Sequence, residues 1–373
     1  MERLGGAFPS GGRSADSAPR EDACHHPTLM TAATEGAVGR RVRVAAVLVA
    51  LLALLVLPAC QGTETSRANM TTRTARALTT RTARARTQAR PPRPGVHVVA
   101  IHSPALRGTE HYAVYLPPGY DRGSRRYPVV LFLHGLPTDA NAYRRQRIQR
   151  LGQIAANNRR AVIVVAPQGT RTGDSDPEWH DWGPGRDWET AVAHDVVDDV
   201  DHRYRTIADR RARAIIGISG GGYGAMLIGL HHPETFTAIE SWSGYFHPTN
   251  PKGDKPLDVG DAHEDAKADA HRFVACLGRL AATDRPSLLG FFIGDRDPLF
   301  LSENVQLNRE LDGAHAPHLF RIYHGAHKEP LWRSHQREWL LKALRVMPAT
   351  PPPPEPDPSS HRLAAQRAGC PID

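Results

Sequence analysis

The sequence predicts an α/β fold over residues 96–347, a single domain built on one doubly wound, mostly parallel sheet with helices on both faces. Three observations predict it. Short apolar runs alternate with segments of helical period along the whole stretch. Most of those runs are continuous rather than alternating, as strands covered on both faces require. Gly217-Ile218-Ser219-Gly220-Gly221 stands directly between one such run and a helix-compatible stretch.

In chain order, Arg40, Arg41 and Arg43 precede an apolar run from Val44 to Leu57 that ends Leu57-Pro58-Ala59-Cys60. The run is short for a bilayer-spanning helix, and a basic front with a small-residue end marks a secretory signal. It resembles a bacterial lipoprotein signal, in which Cys60 becomes the lipidated first residue of the mature chain; Pro58 departs from the usual small residue there. The alternative is an uncleaved anchor. Either route carries the domain out of the cytoplasm, to the outer face of the cytoplasmic membrane if lipidated and otherwise to secretion. Residues 1–39 make a long front for a signal, which a start at Met30 would repair.

Residues 60–95 follow as an Arg/Thr/Pro-rich tether with a repeat, Thr71-Thr72-Arg73-Thr74-Ala75-Arg76-Ala77 and then Thr79-Thr80-Arg81-Thr82-Ala83-Arg84-Ala85. Its few large apolar side chains cannot offset the entropy of ordering, so it reads as a solvated spacer able to rest on anionic lipid head groups. The formal net charge of +8 sits here: the tether carries eight arginines against Glu64, residues 1–59 carry six against five acids, and residues 96–373 balance. A neutral globular part argues against a nucleic-acid partner. The four cysteines, Cys24, Cys60, Cys276 and Cys370, lack metal-site spacing, and neither a metal nor a cofactor is expected. Cys276 and Cys370 are either bridged or separate, with Cys276 a buried thiol in the second case.

Within the domain, Val96–Ile101 and His111–Leu116 read as an opening antiparallel pair. Runs at 129–133, 161–165, 215–218, 288–293 and 319–323 supply the buried strands. Helical period covers Asn141–Asn157, Trp188–Tyr204, Leu301–Leu311 and Leu331–Val346, and Gly224–Leu230 is compatible with a helix. Pro348–Pro358 and the remainder to Asp373 read as a flexible Pro-rich tail. Residues Tyr245–Asp269, rich in Pro, Gly, Asp and Lys, read as a lid or a surface insertion.

The Gly-x-Ser-x-Gly stretch carries the chemistry. A serine hydroxyl is a poor nucleophile at its own pKa and must be lifted onto a sharp turn where a base reaches it. Gly217 and Gly221 leave room for that turn. No Lys-Ser or Lys-Thr follows, which argues against a phosphate loop. Given Ser219, an acid and then a histidine should follow, each after a strand. Phe291-Phe292-Ile293-Gly294-Asp295-Arg296-Asp297-Pro298 supplies the acid, Asp297 first and Asp295 in reserve. Phe320-Arg321-Ile322-Tyr323-His324-Gly325-Ala326-His327 supplies the base, His327 beyond the glycine, with His324 at the strand end packing or hydrogen-bonding. The Gly220 and Leu136 N–H groups are the oxyanion donors, Gly135 letting the backbone approach, and His134 is structural.

Tyr115-Leu116-Pro117-Pro118-Gly119-Tyr120, Tyr127 to Gly135, Gly217 to Ala225, His232-Pro233-Glu234-Thr235-Phe236 and Gly325-Ala326-His327 together resemble the putative esterase family of the α/β-hydrolase superfamily. That family includes esterase D, feruloyl esterases and the mycolyltransferases. The resemblance covers nearly all of 110–346 and implies the triad Ser219, Asp297, His327 with the Leu136 and Gly220 oxyanion hole. At Gly220 the family more often has a larger residue. Trp179 and Trp182, in a loop on the ligand side of the sheet, either line a substrate pocket or anchor the loop; Tyr223 is grouped with them as substrate-binding. The expected activity is hydrolysis of a small-molecule, lipid or sugar ester through an acyl-enzyme. Acyl transfer to a sugar or lipid hydroxyl is the alternative, and a non-catalytic binding protein the remote one.

Overall fold

An antiparallel pair opens the sheet, β1 (Gly95–Ser103) against β2 (Gly108–Leu116). The computed structural model describes residues 91–136, 139, 141–171, 179–247, 269–355 and 357–372. The signal segment, Cys60, the tether up to Arg90 and the 248–268 stretch of the expected insertion lie outside the described residues. β1 alternates exposed and half-buried positions, as an edge strand does, while β2 turns fully buried toward its end.

β3 (Val129–Leu133), β4 (Ile163–Pro167), β5 (Arg213–Ile218), β6 (Ala238–Trp242), β7 (Leu288–Gly294) and β8 (Leu319–Tyr323) complete an eight-stranded sheet in the order β1-β2-β4-β3-β5-β6-β7-β8. β2 meets β4 antiparallel and every pairing from β4 to β8 is parallel, so the sheet is the mostly parallel one expected. Among the helices are α1 (Ala142–Arg145), α2 (Ile148–Asn157), α3 (Trp188–Thr190), α4 (Val197–Arg203), α5 (Gly220–His231), α6 (Val274–Arg279), α7 (Leu301–Gly313), α8 (Glu329–Val346) and α9 (Ser360–Arg367). α3 and α4 are joined by a π-helical stretch, Ala191–Val196.

Two apolar layers sandwich the sheet. α2 buries Ile148, Leu151, Gly152 and Ala155, a 3–4 spacing that gives one apolar stripe, and with Trp339, Leu340, Ala343 and Leu344 of α8 covers one face. Val192–Val200, α5, α6, and Leu307 and Leu311 of α7 cover the other. α5 is apolar all round and buried from Gly220 to Leu230, so its position is dictated by the sheet it crosses. Parallel strands under helices leave their C-terminal ends as the open edge, where ligands of such sheets sit.

β6 was not expected, because Ala-Ile-Glu-Ser-Trp carries a glutamate at its centre. The structure buries Glu240 completely, with Trp242 Nε1–H donating to its Oε2 at 3.0 Å. Burial, opposed by that hydrogen bond, pushes the carboxyl up to about 8. In the unfolded chain it titrates near ~4.3. Between those values the folded chain holds a proton the unfolded chain has released, so Glu240 costs increasing stability as pH rises through that window. Glu240→Gln keeps an oxygen for Trp242. It is expected to stabilise the protein by on the order of 3 kcal/mol at pH 8.5 and by little at pH 4.5. Urea unfolding at the two pH values checks this; equal shifts at both would refute it.

The C-terminal segment departs from the flexible tail expected of residues 348–373. α9 packs on the domain with Ala365 buried, His361 lies between Asp284 and Glu355, and Arg211 pairs with Glu355 at 3.2 Å. Cys370 forms a disulfide with Cys276, closing 94 positions of sequence. A loop of that size is worth roughly 4–5 kcal/mol of unfolded-state entropy. The Pro-rich composition that suggested flexibility is offset by this cross-link and by charged anchors. Among the described residues no helix is long and apolar enough to cross a membrane.

Candidate active site

β5 ends at Ile218 and α5 starts at Gly220, so Ser219 alone makes the corner, at φ 55° and ψ −124°. A non-glycine residue in that region is strained and persists only when its surroundings over-determine it. Here they do. A Cβ at Gly217 would lie 1.9 Å from the Gly221 carbonyl oxygen, and one at Gly221 would lie 2.3 Å from that of Leu133. The strand and helix therefore approach as only glycines permit. The Ser219 carbonyl accepts the N–H groups of Gly222 and Tyr223 at 2.7 and 3.1 Å, which starts the helix, and its own N–H donates to Trp242 O at 3.0 Å.

His327 comes from the loop after β8. Its Nε2 is 2.8 Å from Ser219 Oγ and its Nδ1 is 2.7 Å from Asp297 Oδ2. Asp297, after β7, is 2% exposed, and its other oxygen accepts the N–H groups of Leu299 and Phe300 at 3.0 and 3.1 Å. Both oxygens of the carboxylate thus have partners, and its orientation is set before any ligand arrives. The His327 ring is flanked edge-on by Phe300 at 5.3 Å and Trp332 at 5.2 Å. With the proton on Nδ1, Nε2 can take the serine proton as the oxygen attacks a carbonyl, and the carboxylate stabilises the resulting imidazolium.

Asp295, the reserve acid, lies elsewhere. It is solvent-exposed, bonds His324 Nδ1 at 3.0 Å and accepts the Gly325 N–H at 2.9 Å. That backbone N–H, with His324 beside it, holds its pKa below the usual carboxylate range. Leu136 and Gly220 adjoin each other: a Cβ at Gly220 would lie 3.5 Å from Leu136 N and 3.1 Å from Leu136 Cγ. A Cβ at Gly135 would lie 2.9 Å from Ser219 Cβ and 3.5 Å from its Oγ, so the loop after β3 lies directly against the serine.

The aromatic residues expected at the substrate are placed differently. Trp179 is 2% exposed; its ring fills the space beside Gly169 and Gly224, and its Nε1–H donates to His134 O at 3.1 Å. It anchors the long loop on the domain, the second of its two readings, because both glycines leave a ring-sized slot. Tyr223 is fully buried and stacks on Tyr245 at 5.1 Å, which meets Phe300 at 4.9 Å. It therefore supports the ring behind His327 and is screened from any ligand. Trp182 packs with Leu106, Trp188 and Ala191 by the β1–β2 turn, with His180 at 3.9 Å and the Arg186 guanidinium at 5.4 Å.

Sequence reasoning missed Trp332, Phe300 and Tyr245. Trp332 also forms a wall of a cavity of about 260 Å³ whose floor is Phe132, Leu151, Ile218 and Trp242. Two of its lining residues neighbour the triad: Ile218 precedes Ser219 in the chain, and the Trp332 ring meets His327 at 5.2 Å. At its mouth Arg147 pairs with Glu329 at 2.9 Å and Arg333 approaches the same carboxylate at 3.5 Å. The signal for Trp332 was its place in the first turn of the helix after the histidine loop.

Comparison with known proteins agrees with this architecture. The family described as putative esterase matches residues 103–340, well over half of the chain. An esterase of Mycobacterium tuberculosis is 32% identical over 132 residues, covering 35% of this chain and only 28% of that protein. An S-formylglutathione hydrolase of Paracoccus denitrificans is 29% identical over 173 residues, covering 42% of this chain and 59% of that one. Among solved structures, a ferulic acid esterase superposes with a TM-score of 0.57 at 23% identity, over 69% of this chain and 100% of its own. A fluorophosphonate-binding serine hydrolase of Staphylococcus aureus superposes with 0.54 at 19% identity, over 68% of this chain and 99% of its own. These likenesses show the α/β-hydrolase fold. The chain spans less than two thirds of the length of the curated relatives named here.

Proposed function

The chain belongs to the putative esterase family, and from that membership we propose that it is a serine carboxylic-ester hydrolase working through an acyl-enzyme on Ser219. The observation that carries the proposal is the continuous Oγ to Nε2 to Nδ1 to Oδ2 line through Ser219, His327 and Asp297, at 2.8 and 2.7 Å, drawn from three separate segments. Ser219 Oγ attacks the ester carbonyl while His327 Nε2 takes its proton. The tetrahedral oxyanion is held by the Gly220 and Leu136 N–H groups, and α5 adds its partial positive end. His327 returns the proton to the departing alkoxide, then deprotonates the water that attacks the acyl-serine and passes that proton to Ser219 Oγ as the acid leaves.

The cavity beside Ile218 receives the acyl portion. Its volume of about 260 Å³ suits a short or single-ring acyl group. The proposal also places the domain outside the cytoplasm. The Cys276–Cys370 bridge supports an oxidising compartment, and Cys60 with the basic tether would hold the domain at the membrane surface.

The test is acyl partitioning. The full chain is supplied with 4-nitrophenyl acetate in buffer, alone and with glycerol or trehalose, and the fate of the acetyl group is followed by mass spectrometry. Free acetate is expected to dominate throughout. Dominant acetylated glycerol or trehalose would replace the hydrolase by an acyltransferase, and a folded protein that neither turns over nor reacts with a fluorophosphonate would be a binding protein.

A further inference from the structure

On the side of the sheet carrying α7, three potential metal donors from three chain segments converge. They are His247, at the end of the described stretch after β6; His271, in the 3₁₀ turn Ala270–Phe273; and Glu303, in the first turn of α7. One donor atom from each lies within 4.8 Å of the other two. His247 Nδ1 is 2.9 Å and His271 Nε2 is 3.8 Å from the same oxygen, Glu303 Oε1. Two imidazole nitrogens and one carboxylate oxygen at these separations are close to three corners of a tetrahedral site, whose donors stand about 3.3 Å apart around a cation with ~2.0 Å bonds.

The surroundings hold the donors in place. His271 Nδ1 bonds Glu310 Oε2 at 2.5 Å, so its Nε2 is the nitrogen turned toward Glu303. A carboxylate behind a histidine in this way is the usual outer partner of a metal-bound imidazole, fixing both tautomer and ring direction. The two histidine-bearing segments are joined by Ala270 N–H to Phe246 O at 2.7 Å. The first is joined to α7 by Phe246 N–H to Glu303 Oε1 at 2.5 Å, the second by the His271–Glu310 bond. All three donor residues are half-buried, which leaves a path for an ion while reducing competition from water. A second His/Glu group among the described residues, His194, His232 and Glu234, differs in that His194 is exposed.

We propose that His247, His271 and Glu303 form a site for a divalent transition-metal ion of the zinc class, with the fourth position open to water, that ties the segments at 247 and 271 to α7. Nitrogen-rich donors select zinc, nickel or copper over magnesium and calcium, which require oxygen. The cysteine spacing that argued against zinc bears only on thiolate sites, and this one needs none. The proposal stands apart from the esterase reading, since none of the three residues belongs to the triad.

The test uses the full chain stripped with a chelator. Titration with zinc chloride by calorimetry is expected to show one equivalent absent from His271→Ala and from Glu303→Gln; the glutamine keeps an acceptor for the Phe246 N–H. The same equivalent is expected to raise Tm in the wild type only, and magnesium chloride is expected to do neither. Cobalt substitution should give the visible absorption of a four- or five-coordinate nitrogen–oxygen site. Turnover of 4-nitrophenyl acetate by both metal-free variants is expected within about two-fold of metal-free wild type. Zinc uptake equal in wild type and both variants, or none in the folded wild type, would overturn the proposal and leave an ion-pair cluster.

Discussion

Ser219→Ala is expected to abolish fluorophosphonate labelling and to lower kcat/KM for 4-nitrophenyl acetate by roughly 10⁴–10⁶-fold. The magnitude follows from what remains. On the proposed mechanism no acyl-enzyme forms without Oγ, and only the proposed oxyanion donors and binding would act on a water-driven reaction. The fold should be unaffected, because Ser219 anchors α5 and β6 through its carbonyl and N–H and not through its side chain. Circular dichroism and Tm must therefore match the wild type. Residual labelling at wild-type rate in the folded variant would remove Ser219 from the mechanism.

The second expectation separates two aspartates two positions apart. Asp297→Asn is expected to lower kcat by about 10⁴-fold with KM nearly unchanged, since an amide at this place favours the wrong His327 tautomer while leaving the geometry intact. Asp295→Asn is expected to stay within a few-fold, because that residue bonds His324 and the Gly325 N–H in solvent. The same steady-state assay on both variants reads the difference, and a larger loss at Asp295 would reverse the assignment of the acid. The structural reason is burial: Asp297 is enclosed and hydrogen-bonded at both oxygens, whereas Asp295 is open to water.

Much of this site is legible along the chain because each member stands where a buried strand gives way to a turn. Ile215–Ile218, Leu288–Ile293 and Leu319–Tyr323 are recognisable as strands, and residues just beyond their C-terminal ends share one edge of a parallel sheet. That rule brings Ser219, His327 and the turn holding Asp295 and Asp297 to one edge of the sheet. Trp179 and Tyr223 resist the same reasoning. An aromatic side chain beside a catalytic motif reads alike whether it faces a ligand or a glycine slot, and only Gly169 and Gly224, 55 positions apart, reveal the slot. β6 was hidden by Glu240, whose charge in the sequence is suppressed by burial in the fold. The C-terminal segment was hidden because its anchors, Asp284, Arg211 and Cys276, are all distant in sequence.

By itself the sequence determined the fold class, the corner at Ser219 and the chain order in which an aspartate turn and then a histidine loop follow it, since each depends on local periodicity and turn chemistry, which neighbouring residues settle among themselves. Tertiary structure alone decided which aspartate reaches His327, which tryptophan stands beside the cavity, that Cys276 and Cys370 meet, and that two histidines and a glutamate converge near α7. Those outcomes depend on close approach between segments far apart in the chain, where a difference of an ångström separates a hydrogen bond from none, and no local pattern carries that distance.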